Sequence, residues 1–366
     1  MSKISNQLQE LVNQKKQLAT NLNVKGVSAS QDETLNTLVP KVLSIVGGSG
    51  DVKLGTKEIT QDGEYFAYED NLDGYSSVNV NILGGNADFI GEFDTESFST
   101  TRLNIRTLSD VPDTAFQNVQ VIGKLDLTKT KAIGTQGFYN STQLREITAP
   151  NKMTVGSNAF YGCGNAVGTI KISEEQTVIK AGTFRGCYKL RFELHDDITE
   201  VEQYAFYNCQ SNNLTKLPSK LTSIGQYAFY QNSGTSGLGE GLNITEIPPL
   251  VTSIGTYAFQ SNSLKTIKIY DACTSISAYA FRYNSKLKNV EIGKGLKNMY
   301  AYTFANNTSL TTFAIHATTP PTILGTTFQN SNKLAEIRVP ASALETYKSA
   351  SNWSKYADIM VGIEGE

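Results

Sequence analysis

The chain has 366 residues, enough for a large core or several modules, and a formal net charge of −2. Its Lys and Arg are scattered, which excludes a basic stripe for nucleic acid and a basic amphipathic helix for a membrane surface. No run of 18 apolar residues offers a transmembrane span.

The first segment carries Ile4, Leu8, Leu11, Lys15, Leu18 and Leu22 at steps of four and three. That is a heptad seam interrupted by Lys15. A helix this short and narrowly apolar needs a partner, either its own copies, another protein, or the next helix of the same chain. Gly26 ends it, and Ser30…Glu33 is a capping box that opens a second helix. Leu35, Leu38, Val42 and Ile45 stripe that helix, and Pro40 bends it. Residues 1–46 therefore read as a helical anchor or oligomerisation region, with a trimer favoured. A Gly-rich linker spans 47–51. Residues 52–90 read as a small β module, with strands at Ile59–Tyr65 and Gly74–Ile82 and turns at Asp62-Gly63 and Asp73-Gly74. Met1–Leu8 has no apolar h-region, so no secretory signal is expected.

These phrases together, Leu8-x-x-Leu11…Lys15-x-x-Leu18-Ala19…Gly26-Val27…Asp32-Glu33-Thr34-Leu35 and Ile59-Thr60-x-x-Gly63-x-Tyr65…Leu72-Asp73-Gly74-Tyr75, carry a resemblance over residues 1–83. They resemble the start of minor structural and tail-associated proteins of phages of Gram-positive bacteria. The resemblance implies a protein made in the host cytoplasm, assembled onto a virion and released by lysis. Such a route needs no signal and leaves cysteines unpaired.

Beyond residue 91 phenylalanine returns at a fixed period. Phe116, Phe138, Phe160, Phe184, Phe206, Phe229, Phe259, Phe281, Phe304 and Phe328 are separated by 22, 22, 24, 22, 23, 30, 22, 23 and 24 residues. A period in this range marks a solenoid. Each unit reads Leu-x-x-Ile-x-Ile, a turn, then Ile-Gly-x-x-Ala-Phe. Leu264, Ile267 and Ile269 form one expected strand, and Leu287, Val290 and Ile292 the next. The fold class is a leucine-rich-repeat solenoid of ~10 repeats, with one short parallel strand per repeat. The solenoid spans 91–340 and a C-terminal cap 341–366. Each Phe should stack on its neighbours. Three residues after it runs a second ladder: Cys163, Cys187, Cys209, Asn232, Asn262, Asn284, Asn307 and Ser331. Small polar groups there satisfy buried backbone. The 30-residue step holds a Gly-rich insert, Ser233–Gly241, read as a mobile loop.

Units such as Leu214-x-x-Leu217-Pro218-x-x-Leu221-x-x-Ile224-Gly225-x-x-Ala228-Phe229 resemble the BspA-like leucine-rich repeats of bacterial surface antigens. The ending Val339-Pro340…Tyr347…Trp353…Tyr356 looks like that family's terminal cap. The resemblance covers roughly 95–360 and implies a surface-displayed binding protein.

Catalytic chemistry finds little footing. His195 and His316 lie five repeats apart, roughly 24 Å at one strand spacing per repeat, so they share no metal or acid–base site. Cys163, Cys187, Cys209 and Cys273 read as reduced packing residues, although a Cys163–Cys187 bridge between stacked turns is conceivable. No phosphate loop, calcium loop or carboxylate pair is defined. No enzyme activity and no cofactor or metal is expected.

Two surfaces are candidates for ligand binding. One is the row Tyr204, Tyr227, Tyr257, Tyr279 and Tyr302, two residues before each Phe, with Tyr139, Tyr161, Tyr207 and Tyr230 one residue after it. These rings either stack sugar rings or pack on each other along the solenoid. The other is the outward strand face: Lys171, Glu193, Lys268, Glu291 and Arg338. The expected function is a phage tail-fibre, baseplate or head-fibre component adhering to the bacterial host surface. Its partners are other virion proteins at the N-terminal region and a host polysaccharide or protein at the solenoid, with no nucleic acid and no membrane. The alternatives are a BspA-like bacterial cell-surface adhesin and a purely structural decoration protein.

Overall fold

The computed structural model describes residues 110–118, 123–210, 213–234 and 241–364, the strands Leu54–Ile59, Gly74–Val80 and Arg102–Asn104, and helical Asn13, Lys15, Lys16 and Ala19. Lys15 is thus helical, while Ile4, Leu8, Leu11, Leu18 and Leu22 lie outside the described residues. Leu54–Ile59 and Gly74–Val80 pair in parallel. Of the expected strand Ile59–Tyr65 only Ile59 lies among the described residues, and none of the turn at Asp62-Gly63 does; the parallel pairing is not that of a hairpin.

From Arg102 onward every described strand pair is parallel. The expected strand of the repeat is present: Thr266–Ile269, Asn289–Ile292, Thr312–Ile315 and Glu336–Pro340 lie side by side in register. Leu264, Leu287 and Leu310 sit just ahead of these strands and are fully buried. A second, mostly two-residue strand follows in most turns. Val178–Ile179, Glu200–Val201, Ser223–Ile224, Ser253–Ile254, Ser275–Ile276 and Asn298–Met299 make a six-stranded sheet of their own. Two residues are too few to show a period of two, so this sheet has no sequence signature.

In the middle of the solenoid the longer strand is missing. Leu214–Pro218 and Ile244–Pro248 run without it, because proline supplies no N–H for a ladder. One sheet of longer strands therefore ends at Leu190–Glu193 and another begins at Thr266–Ile269.

Inside, the ten phenylalanines form one column. Consecutive rings are stacked with centroids 5.2–6.1 Å apart. From Phe116 to Phe304 the backbone N–H reinforces the column, as where Phe206 donates to the Ala228 carbonyl and Phe229 to the Ala258 carbonyl, both at 2.8 Å. Gly255 explains the glycine of the repeat phrase: a Cβ there would fall 2.5 Å from the backbone carbon of Gly225 in the turn below.

The last turn is covered. A helix at Leu344–Ser349 and a 3-10 helix at Ser354–Ile359 lead into Met360–Ile363, which pairs with Glu336–Pro340. Trp353 and Tyr347 are buried there, with Trp353 Nε1 donating to the Pro321 carbonyl at 2.8 Å and Tyr347 Oη to the Ala317 carbonyl at 2.9 Å.

Candidate binding surface: a flank of tyrosine and arginine

The flank arises from backbone geometry. Two positions per turn, two before and two after the core Phe, take positive φ. Asn and Gly fill many of them, as that region favours. Yet Tyr204, Tyr227, Tyr257, Tyr279 and Tyr302 hold φ of 56–63° at the first of these positions. A bulky residue there is uncommon and costs on the order of 1 kcal/mol. The turn above offsets the cost: Tyr204 N–H donates to the Gln226 carbonyl and Tyr279 N–H to the Ala301 carbonyl, both at 2.9 Å. The rings then stack in an unbroken row, at 4.9, 4.6, 4.5 and 5.0 Å between centroids. Their faces are thus occupied by each other, which leaves edges and hydroxyls for solvent.

A second row stands one residue after each Phe. Tyr139 stacks on Tyr161 at 4.6 Å and Tyr207 on Tyr230 at 4.8 Å. Arg185 fills the rung between those pairs. Its guanidinium carbon lies 5.2 Å from the Tyr161 ring, 5.0 Å from Tyr207 and 4.7 Å from Tyr204, within cation–π range of all three. Arg282 does the same four turns on, at 5.3 Å from Tyr279, 5.5 Å from Tyr302 and 4.4 Å from Tyr283. The two arginines were missed in the sequence; their signal was cations at the repeat position that elsewhere holds tyrosine. Burial pushes the hydroxyl pKa of Tyr207, Tyr227 and Tyr257 upward, so these groups stay protonated.

The strand face is different in kind. Lys171 pairs with Glu193 at 3.7 Å, Lys268 with Glu291 at 2.7 Å and Arg338 with Glu336 at 3.0 Å. Register places Lys268, Glu291, Ala314 and Arg338 in one row, apart from Lys171 and Glu193 across the strandless turns. His316 Nε2 comes within 3.6 Å of Glu291, and Tyr270 donates to Glu246 at 2.6 Å. Charge on this face is largely neutralised by its own neighbours.

Groups with nucleophilic potential are held in structural roles. His195 Nδ1 accepts the Asp197 N–H at 3.2 Å, which leaves Nε2 to donate to the Gln176 carbonyl at 3.1 Å. The four cysteines are free and buried. Cys163, Cys187 and Cys209 donate to the carbonyls of Phe138, Phe160 and Phe184 at 3.0–3.2 Å. Burial pushes the Cys163 thiol up to about 12 and Cys273 up to about 11, and raises Cys187 and Cys209 as well. Among the described residues, no three His, Cys, Asp or Glu are grouped to hold a metal, and no helix is long and apolar enough to cross a membrane.

Parallel turns on a continuous aromatic column, with a polar ladder behind it, define a leucine-rich-repeat solenoid. The BspA type leucine rich repeat region matches this chain in six copies, over residues 86–191, 109–236 and 239–356. The chain belongs to that family. No curated protein matches it. Among solved structures, a leucine rich cell surface protein from Faecalibacterium prausnitzii A2-165 is similar at 22% identity, covering 74% of this chain and 89% of that one, with a TM-score of 0.39. A leucine-rich repeat protein from Eubacterium ventriosum is similar at 16% identity, over 68% of each chain, with a TM-score of 0.38. Another from Bacteroides ovatus is similar at 18% identity, over 70% of this chain and 87% of that one, with a TM-score of 0.37.

Proposed function

We propose that this protein is a non-enzymatic adhesin of the BspA-like kind, displayed at a bacterial cell surface and binding through its solenoid. Membership of the BspA-type repeat family over most of residues 86–356 carries the reading. Stacked turns present equivalent side chains in long rows, which suits an extended ligand better than a small substrate in a pocket. The N-terminal region, residues 1–46, assembles several copies through the seam at Ile4, Leu8, Leu11, Lys15, Leu18 and Leu22, with three favoured. Avidity then strengthens weak single-site contacts.

A second reading has its own observation. The phrases over residues 1–83 resemble phage minor structural proteins, which favours display on a virion as a tail-fibre, baseplate or head-fibre component. Fab fragments against residues 92–366, labelled with gold, separate the two by electron microscopy. Gold on intact bacteria is expected for the adhesin. Gold confined to one position on phage particles transfers the same binding role to the virion.

A further inference from the structure

We propose that the tyrosine–arginine flank binds an anionic glycan polymer, one bearing phosphate or carboxylate groups, with Arg185 and Arg282 as its two anion contacts. The inference rests on the adhesion reading and names its ligand class. The flank comprises four positions per turn, three and two residues before the core Phe and one and two after it. From Thr135 to Asn330 those positions hold no Asp, Glu or Lys. Their formal charge comes from Arg185 and Arg282 alone. Glu202, four residues before Phe206, is turned to Lys180 and to the Ala181 N–H. Elsewhere on the solenoid Lys171, Lys180, Lys216, Lys220 and Lys268 meet carboxylates; what sets the two arginines apart is that tyrosine rings, not acids, surround them.

Neither arginine has a carboxylate among the described residues. Arg282 donates from Nη2 to Tyr283 Oη at 3.1 Å, and its Nε is buried with no acceptor. Tyrosine rings hold both guanidiniums in place, which removes much of the rotamer entropy a free arginine loses on binding. The planar fork that remains matches phosphate and carboxylate oxygens in pairs. Four turns separate the two arginines, about 19 Å at one strand spacing per turn. That span fits a polymer lying along the solenoid axis, not a single small anion. Between the arginines the tyrosines are half-buried, and their stacked row offers hydroxyls with which sugar hydroxyls can pair. Because the ring faces are already stacked on each other, recognition here is by hydrogen bond and charge, not by sugar stacking.

The test uses the whole chain against three immobilised polymers: a phosphodiester-linked polyol glycan, a uronate-bearing polysaccharide and a neutral glucan. Binding to intact and protease-treated bacteria is measured in parallel. One of the anionic polymers binds, more weakly as salt rises, and the neutral glucan does not. The R185Q/R282Q variant binds that polymer at least ten-fold more weakly. Gln226→Glu adds an acid to an exposed flank position without touching the core, and weakens binding several-fold at unchanged melting temperature. Which anionic polymer binds distinguishes phosphate from carboxylate. Unchanged binding by both variants, equal binding to the neutral glucan, or loss of cell binding after protease treatment overturns the inference. Cells bound equally by wild type and variants leave the adhesin reading standing and remove this one. Arginine-dependent polymer binding without cell binding does the reverse.

Discussion

Asn232 and Asn262 stand one above the other in adjacent turns, and the backbone N–H of Asn232 donates to Oδ1 of Asn262 at 2.9 Å. The same Asn262 side chain donates from Nδ2 to the Phe229 carbonyl at 2.8 Å. One amide thus closes two buried backbone groups of the turn before it. Replacing Asn262 with Ala leaves both without partners, at about 1–3 kcal/mol for each. Asn262→Ser should recover part of the loss, because Ser331 makes the equivalent pair, to the Phe304 carbonyl at 2.9 Å and from the Asn307 N–H at 3.1 Å. Chemical denaturation of the three proteins checks the order.

Phe206 lies in the stacked column between Phe184 and Phe229, 5.4 and 5.2 Å away. Phe206→Ala should cost about 3–5 kcal/mol, since rings fixed by their own turns cannot collapse into the gap. Lys268→Ala breaks a half-exposed ion pair with Glu291 and should shift stability by less than about 1 kcal/mol. Equal thermal shifts in the two variants would place the repeat register elsewhere.

Tyr257 carries both strain and stacking. Asn tolerates positive φ better than Ala does, and Asn158 already occupies the same place in an earlier turn with φ 52°. Both substitutions lose the ring contacts at 4.6 and 4.5 Å, so Tyr257→Ala should be the less stable by roughly 0.5–1 kcal/mol. Paired urea titrations read that difference directly.

Alkali should unfold the solenoid early. Burial raises the thiols of Cys163, Cys187, Cys209 and Cys273 above their unfolded value. Such groups stabilise the fold fully below the unfolded value, near 8.5, and that stability is lost as pH climbs toward the folded one. The melting temperature should hold to about pH 8.5 and fall between there and about 11–12. Serine at positions 163, 187 and 209 should flatten that fall, as Ser141 occupies the same ladder and donates to the Phe116 carbonyl at 3.0 Å. An unchanged alkaline slope in the triple variant would mean that other groups govern it.

Removing residues 341–366 strips the strand Met360–Ile363 from Glu336–Pro340 and uncovers the core beside Phe328 and Phe313, which Trp353 now meets at 6.4 Å. An uncovered parallel edge pairs with another, so the truncated chain should self-associate. Light scattering at rising concentration measures it.

The period was legible because a core residue must recur wherever a turn recurs. Phe116 through Phe328 and the Cys/Asn ladder therefore appear in the sequence at fixed intervals and in the structure as columns. The longer strands were legible from Ile267 and Ile269, which alternate with exposed or half-exposed neighbours. The short strands were not, since Ser275–Ile276 holds one buried residue and no pattern. Nor was the outcome at Tyr204–Tyr302: the sequence left open whether the rings face a ligand or each other. Only the positive φ shared by all five, and the 4.5–5.0 Å spacing it enforces, turns their faces inward along the row. Arg185 and Arg282 stand at the repeat position that Tyr139, Tyr161, Tyr207 and Tyr230 hold in other turns, but a spacing alone does not show that the tyrosines of neighbouring turns close around them.

Ser223-Ile224 aligns on Ser253-Ile254, and Ser253-Ile254 on Ser275-Ile276, with no shift of register. The sequences Leu221-Thr-Ser-Ile-Gly-Gln-Tyr-Ala-Phe229 and Val251-Thr-Ser-Ile-Gly-Thr-Tyr-Ala-Phe259 differ at two places. Each turn therefore offers its successor the same seat it received. A recombination event that duplicates or excises one whole turn rejoins matching halves and leaves no seam in the core. The number of turns, and with it the reach of the flank, is a quantity that such exchange can lengthen or shorten in steps of one rung without redesigning any contact.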